Sequence, residues 1–424
     1  MALRLSDDRR YLVDETGRPF FWLGDTTWSV VWKGTPDQWA TYLDKRAAQG
    51  FSVLQVNLLP WRWHLTDVEG NRPFLDEEPD RPNEAYFARY DRFLAMAAER
   101  GLYTCLMLIW GGPRPLLPAV HFSTEQAVQF ARYAAERFGD KPVVWSLSGD
   151  AEYAQELDKW EAVGRAVEDA DRHRHPTTNH LPPSMNWRFL HHESPWHDFH
   201  MIQTGHRRGA IGDIAALPLT YYGLEPIKAF VNGEPWYENH PSRDSREVYG
   251  PPFTPYDTRY AFWVSVLSGA TMGHTYGAQG VWNWKQPGDD EAEMAGPQIG
   301  PTWDVAMGYD GAAQCALGAN LLRQLPWWRL RPCPERAALE TVHVDPHKRP
   351  ACAHVPGQLF VAYAPTATGL LALKGLEPRP WRATWHDPRN GAATELGEVR
   401  PDETGVLRLR APGDDDWVLV VRAV

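Results

Sequence analysis

Residues 124–150 read TEQAVQFARYAAERFGDKPVVWSLSGD, and this stretch decides the fold. Its first half spaces apolar residues at helical intervals over 124–138. Its second half is a continuous apolar run, PVVWSLSG, that ends on the carboxylate of Asp150. An apolar run without alternation suits a strand covered on both faces, as in a parallel sheet wrapped by helices. The same unit recurs on either side. Upstream stand the runs PFFWLGDT, FSVLQVNLL and YTCLMLIW, separated by two predicted helices. The first is capped by Thr35, opened by Pro36, completed as a capping box by Gln38 and stopped at Gly50; the second lies near 86–100. Downstream, the pattern predicts a helix near 154–171, strands near 176–180, 199–203 and 227–232, and a helix near 256–268 ending at Gly269. A last strand near 271–276 and a helix near 307–323 complete the series.

Eight strands alternating with helices in roughly 300 residues predict an α/β fold of the (β/α)8 TIM-barrel type rather than an open doubly wound sheet. GDTTW, from Gly24, stands where a dinucleotide-binding sheet would carry GxGxxG. Ahead of the barrel, residues 3–22 predict a short hairpin. After residue 335 the helical period disappears. The short runs TVHV, LFVAYA, LLALKG, WRATWHD, VLRLRA and DWVLVVRA, broken by DPRNG, PDETG and PGDDD, predict a small antiparallel β-sandwich. The chain therefore divides into a barrel with its hairpin over 1–330 and a sandwich over 335–424, joined through LPWWRLRPCPE at 325–335.

Composition narrows the function. With 43 Lys+Arg against 54 Asp+Glu the net charge is −11, which argues against nucleic acid as a partner, because phosphate binding needs a basic patch. The charged start, MALRLSDDRRYLVDE, lacks an apolar signal core, and no run reaches the ~20 apolar residues of a membrane span, so a cytoplasmic protein with no membrane partner is expected. Cys105, Cys315, Cys333 and Cys352 show no CxxC spacing and are expected to be reduced structural thiols. The sequence leaves a homo-oligomer open. The 21 Trp among 424 residues are too many for a core alone and point to an aromatic-lined pocket.

Barrel chemistry sits at the C-terminal strand ends. There the sequence delivers Asp25 and Trp28, then Asn57 with Trp61 and Trp63, Trp110, Asp150 with Glu152, and His180. Later strands deliver Gln203 with His206, then Glu234 with Trp236, Tyr237 and Glu238, and finally His274 with Tyr276, Trp282 and Trp284. Aromatic faces stack on the C–H faces of sugars, and the polar groups can hold hydroxyls. Two carboxylates across such a pocket can hydrolyse a glycoside: one protonates the leaving oxygen, the other attacks carbon or activates water. Asp150 and Glu234, after strands 4 and 7 on facing sides of the mouth, are the candidates, with Glu152 and Glu238 as substitutes. Glu152, Glu238 and the remaining positions except Trp61, Trp63 and Trp284 are candidate substrate-binding residues. An apolar wall, Trp110 or Trp145, would raise the pKa of Asp150. The cluster HHESPWHDFH at 191–200 has neither HExxH nor strand-pair spacing, so no metal and no cofactor is expected, and GxSxG is absent.

Four stretches, GDTTW from Gly24, WSLSGD ending at Asp150, NGEPWYE from Asn232 and GHTYG from Gly273, resemble the apiosidase-like (β/α)8 domain of glycoside hydrolase family 140 and its relatives. The terminal module resembles the β-sandwich, named for collagen binding, that often follows such barrels. The resemblance implies a retaining, exo-acting, furanosidase-like enzyme, with Asp150 as acid/base and Glu234 as nucleophile. The expected partner is a small glycoside or oligosaccharide. A non-catalytic carbohydrate-binding protein, and a transglycosylase or lyase on the same barrel, would use the same residues.

Overall fold

The computed structural model describes residues 2–62, 64–111, 118–151, 153–243, 249–289, 300–340 and 349–424. Eight parallel strands close into a barrel: β1 (Trp22–Thr26), β2 (Val53–Asn57), β3 (Tyr103–Met107), β4 (Val143–Gly149), β5 (Thr177–His180), β6 (Phe199–Ile202), β7 (Ala229–Asn232) and β8 (Gly273–Tyr276). The seam is the pairing of β8 with β1, from Gly273 opposite Trp22 to Tyr276 opposite Asp25. Among the described residues, seven longer helices surround it: α1 (Pro36–Gln49), α2 (Glu84–Glu99), α3 (Thr124–Phe138), α4 (Leu157–Ala170), α5 (Asp213–Tyr222), α6 (Pro255–Leu267) and α7 (Asp310–Arg323). Among the described residues, no helix is long and apolar enough to cross a membrane.

Local chemistry explains the helix ends. Thr35 accepts from the Gln38 amide while the Gln38 side chain accepts from Thr35, a closed capping box, and Gly50 ends α1 at φ 88°, where a glycine carries no side-chain penalty. Ser123 and Gln126 repeat the box on α3. The helix α5, which sequence reading leaves blank, contains Pro218 and an almost wholly apolar stretch; an interior proline ordinarily signals a break, and packing overrides it here.

The hairpin expected over 3–22 is a three-stranded meander, Arg4–Leu5, Leu12–Val13 and Pro19–Phe20, plugged against the barrel. Beyond the barrel a six-stranded antiparallel sheet faces a three-stranded one. Two of its strands, Ala351–Val355 and Ala393–Val399, escape sequence reading; the latter is almost entirely exposed and carries no apolar alternation. TVHV at 341–344 lies outside the described residues. The pleat makes the run Leu359–Ala364 two-sided: Phe360 and Ala362 enter the sandwich core with Trp381 and Trp385, while Val361 and Tyr363 join the barrel's core. All four cysteines are buried free thiols, with Cys333 and Cys352 in sulfur contact at 3.5 Å.

The two units are bolted by a buried ion pair. Arg259 on α6 donates to Asp416 through Nε at 3.0 Å and a terminal nitrogen at 2.7 Å, and Tyr363 adds a hydrogen bond to the same carboxylate at 3.0 Å. A buried charge that loses its partner is costly, so Asp416→Ala should lower unfolding stability by about 3–5 kcal/mol in urea titration, and Arg259→Met combined with Asp416→Leu should recover most of it. A loss below about 1 kcal/mol for Asp416→Ala would show that this contact does not hold the units together.

Candidate active site

Strand pleating decides which side chains reach the barrel interior. Trp22, Thr26, Gln55 and Thr275 point inward: Trp22 Nε1 donates to Thr275 Oγ1 at 3.0 Å, and Gln55 bonds Thr26, Thr275 and the carbonyl of Gly233. Their neighbours therefore point outward. Asp25 meets Arg46 and Tyr42 of α1, each at 2.6 Å, in a fully buried cluster. His274 lies against Phe262 of α6, and burial pushes its pKa down to about 3. Tyr276 donates to Glu238 at 2.6 Å, and the same carboxylate caps α7 through the Gly311 amide at 2.9 Å. Burial pushes Glu238 up to about 7, against those two hydrogen bonds. Trp236 stacks on Phe253 at 4.9 Å, Trp284 on Trp303 at 4.3 Å, and Trp145 donates to Asp171. The structure thus does not bring Asp25, Trp236, Glu238, His274 or Tyr276 to the mouth, and neither Trp145 nor Trp284 reaches it. Glu152 and Trp63 lie outside the described residues.

The remaining candidates converge there in two arcs. One is aromatic and comes from the ends of β1, β2, β3 and β8. Trp28 lies 5.2 Å from Trp110 between ring centres, Trp61 packs edge-on to Trp110 at 4.6 Å, and Trp282 lies 6.1 Å from Trp61. Asn57, on the Gln55 side of β2, is buried with both amide atoms unpartnered. Gly149 makes the wall possible, since a Cβ there would sit 2.1 Å from the Trp110 ring.

The second arc is ionisable and comes from β4 to β7 in succession. β4 and β7 are three strands apart, one short of the facing arrangement the sequence suggests. Asp150 takes a left-handed backbone, φ 54°, at the end of β4, a conformation Asp tolerates better than most residues. His180 fills the space between the carboxylates: its Nδ1 is 3.7 Å from Asp150 and its Nε2 3.3 Å from Glu234. His206 grips the other oxygen of Glu234 through Nε2 at 3.0 Å. Gln203 lies against Asp150, and the Tyr237 ring packs at 4.4 Å on His206 with its hydroxyl beside Glu234.

These surroundings split the two acids. Burial first, and then the negative charge of Glu234, push Asp150 up to about 7, against His180, Arg243 and Gln203. Burial opposes the charge of Glu234 as well, but the His180 and His206 imidazoles beside it outweigh that and hold the carboxyl well below its usual range. One acid is thus poised to donate a proton and the other stays ionised, the division of labour that glycosidic cleavage needs.

Sequence reading missed His240 and Arg243. His240 stacks on His206 at 4.4 Å, and the Arg243 amide donates to the His206 carbonyl at 2.7 Å while its charge bears on Asp150. His240 leads into, and Arg243 ends, the first strand of a short two-stranded ribbon after β7, in which Pro241–Arg243 pairs with Tyr249–Pro252, and so short a strand carries no periodicity that marks a site. In HHESPWHDFH, His192 Nδ1 lies 2.8 Å from His200 Nε2, and both rings are buried away from the mouth beside His197 and Tyr221. Among the described residues, no cluster of three or more metal-binding side chains forms.

Residues 6–329 match the family described as "Apiosidase-like, catalytic domain", and residues 344–422 match one named for a collagen-binding domain of a collagenase. A solved structure titled "Glycoside hydrolase" is similar over 99% of this chain and 96% of its own, with a TM-score of 0.87 and 25% identity. A glycoside hydrolase family 5 protein from Bacteroides vulgatus gives 0.86 and 24% over 99% and 93% of the two chains. A family 5 mannosidase from Rhizomucor miehei shares the fold alone, at 0.53 and 13%, over 76% of this chain and 98% of its own. No curated protein matches.

The outward placement of Asp25 has a measurable consequence. Asp25→Asn strands a buried Arg46 and should cost about 3–5 kcal/mol of stability. Once folded, the variant should keep its KM within about twofold. A tenfold rise in KM with unchanged stability would return Asp25 to the pocket.

Proposed function

Because the chain belongs to the apiosidase-like catalytic family and is a glycoside hydrolase, we propose that it works by retention, releasing a terminal sugar from a small glycoside or oligosaccharide. The family likeness favours an apiose-like furanose as that sugar. The observation that carries the mechanism is the placement of the two acids: Asp150 is buried beside the charge of Glu234, which pushes its carboxyl up, and Glu234 lies between two imidazoles that favour its anion.

In the first step Asp150 gives its proton to the glycosidic oxygen as the C–O bond breaks, and Glu234 attacks the anomeric carbon to form a glycosyl ester. In the second, Asp150, now a carboxylate, takes a proton from water as that water displaces Glu234. The tryptophan arc supplies stacking surface for the sugar. The unpartnered amide atoms of Asn57 and the free Oε1 of Gln203 are placed to pair with its hydroxyls, so an analogue lacking those hydroxyls would leave buried polar groups unpaired.

A panel of p-nitrophenyl furanosides and pyranosides tests this reading directly. Glu234→Ala should abolish release on every substrate the wild type accepts. Asp150→Ala should lose about 100-fold or more on poor leaving groups and far less on activated aryl glycosides, with azide restoring turnover. Equal loss on both substrate classes would remove Asp150 from the acid role.

The pH dependence has a fixed sign. The acid must be protonated in the first step, so kcat/KM should fall as pH rises through about 7. Activity still rising at pH ~9 would contradict a titrating Asp150.

A further inference from the structure

Resting on that mechanism, the geometry points to His180 as a positioning residue of a particular kind. We propose that it is an imidazolium shared by the two carboxylates, cationic throughout the cycle, so that it faces the site's one negative charge before and after it moves. Each of its nitrogens faces one acid at ion-pair distance, Nδ1 toward Asp150 at 3.7 Å and Nε2 toward Glu234 at 3.3 Å, and neither nitrogen is taken up by a hydrogen bond. The side chain is wholly buried, edge-on to Trp28 at 5.8 Å and tilted against Trp110 at 6.1 Å, so water does not screen it.

The proton and charge balance of the reaction gives this placement its meaning. Before the first step the anion is Glu234 and Asp150 is neutral. When the glycosidic C–O bond breaks, its electron pair and the Asp150 proton leave as the aglycone hydroxyl, and a Glu234 oxygen bonds to carbon. The negative charge then sits on Asp150, on the other side of the same ring. Water reverses the transfer: Asp150 regains a proton, and Glu234 leaves as the carboxylate. Net charge over the three groups stays zero if His180 is cationic, which is the inexpensive state for a buried site. His206 cannot do the same. Of the two acids it touches only Glu234, and burial together with the charge on Arg243 and His180 favours its neutral form. The pull of both carboxylates on His180, against burial, raises its pKa.

The test needs no substrate, so its outcome is independent of whether the hydrolase mechanism holds. In protein labelled with 15N-histidine, one imidazole should carry protons on both ring nitrogens at neutral pH, and its signals should vanish in His180→Gln. If that variant does not fold, Asp150→Asn combined with Glu234→Gln serves: removing both carboxylates should return the same imidazole to the neutral pattern at the same pH, whereas Glu234→Gln alone should leave it doubly protonated beside an ionised Asp150. A neutral His180 in the wild type overturns the proposal. With a turned-over substrate, His180→Gln should lower kcat by about 100-fold, leave KM within about threefold and move both limbs of the pH profile upward, because each carboxyl loses a nearby cation. A raised KM with unmoved limbs would instead make His180 a sugar ligand and overturn the assignment.

Discussion

A negative charge buried at the mouth of a barrel must be neutralised without water, and the rim from β4 to β7 is organised around that requirement. Glu234 is less than a tenth exposed, and both of its oxygens face imidazoles, from β5 and from beyond β6. Those contacts fix where the charge rests and, in the proposed mechanism, decide which carboxyl acts as the acid. Asp150, on the far side of His180, cannot ionise easily beside that anion, and burial adds to the penalty. Chemistry and fold are inseparable at this point, because four consecutive strand ends must stop at the right height for one ring to reach two acids.

The opposite rim answers a different need. β1, β2, β3 and the loop after β8 contribute tryptophans that pack on one another, so the pocket wall is an extension of the core rather than a set of loose side chains. Outside the strands, a second group of buried charges serves the scaffold. Asp25 with Arg46 and Tyr42 ties β1 to α1, and Glu238 with Tyr276 and the Gly311 amide ties the loop after β7 to β8 and α7, across the seam where the barrel closes. These carboxylates stand near the mouth in sequence and in height, yet face the helices.

That distinction explains what could be read from the sequence. Strand order, helix caps and the change to antiparallel pairing after the barrel follow from apolar periodicity and from residues such as Thr35, Gln38 and Gly50, whose effects are local. The positions of Asp150, His180, Gln203, His206 and Glu234 follow too, since each ends or just follows a strand. The direction of a side chain on a short, fully buried strand does not follow, because such strands show no alternation of apolar and polar residues to set the pleat. Asp25, His274 and Tyr276 lie one residue from inward-facing positions, and that single step removes them from the pocket. His240 and Arg243 were illegible for another reason: a three-residue strand, Pro241–Arg243, is too short to show a period, and only the folded chain brings them to His206. The helix α5 was hidden by Pro218.

The proposed mechanism that ties these observations together is a double displacement at carbon, with Glu234 as the group that bonds to the sugar. Proton NMR of the reaction mixture within the first turnovers, before the released sugar mutarotates, reads this directly. Double displacement predicts that the first-formed sugar has the same anomeric configuration as the substrate. A first-formed sugar of the opposite configuration would mean that Glu234 activates water instead, and would contradict the account.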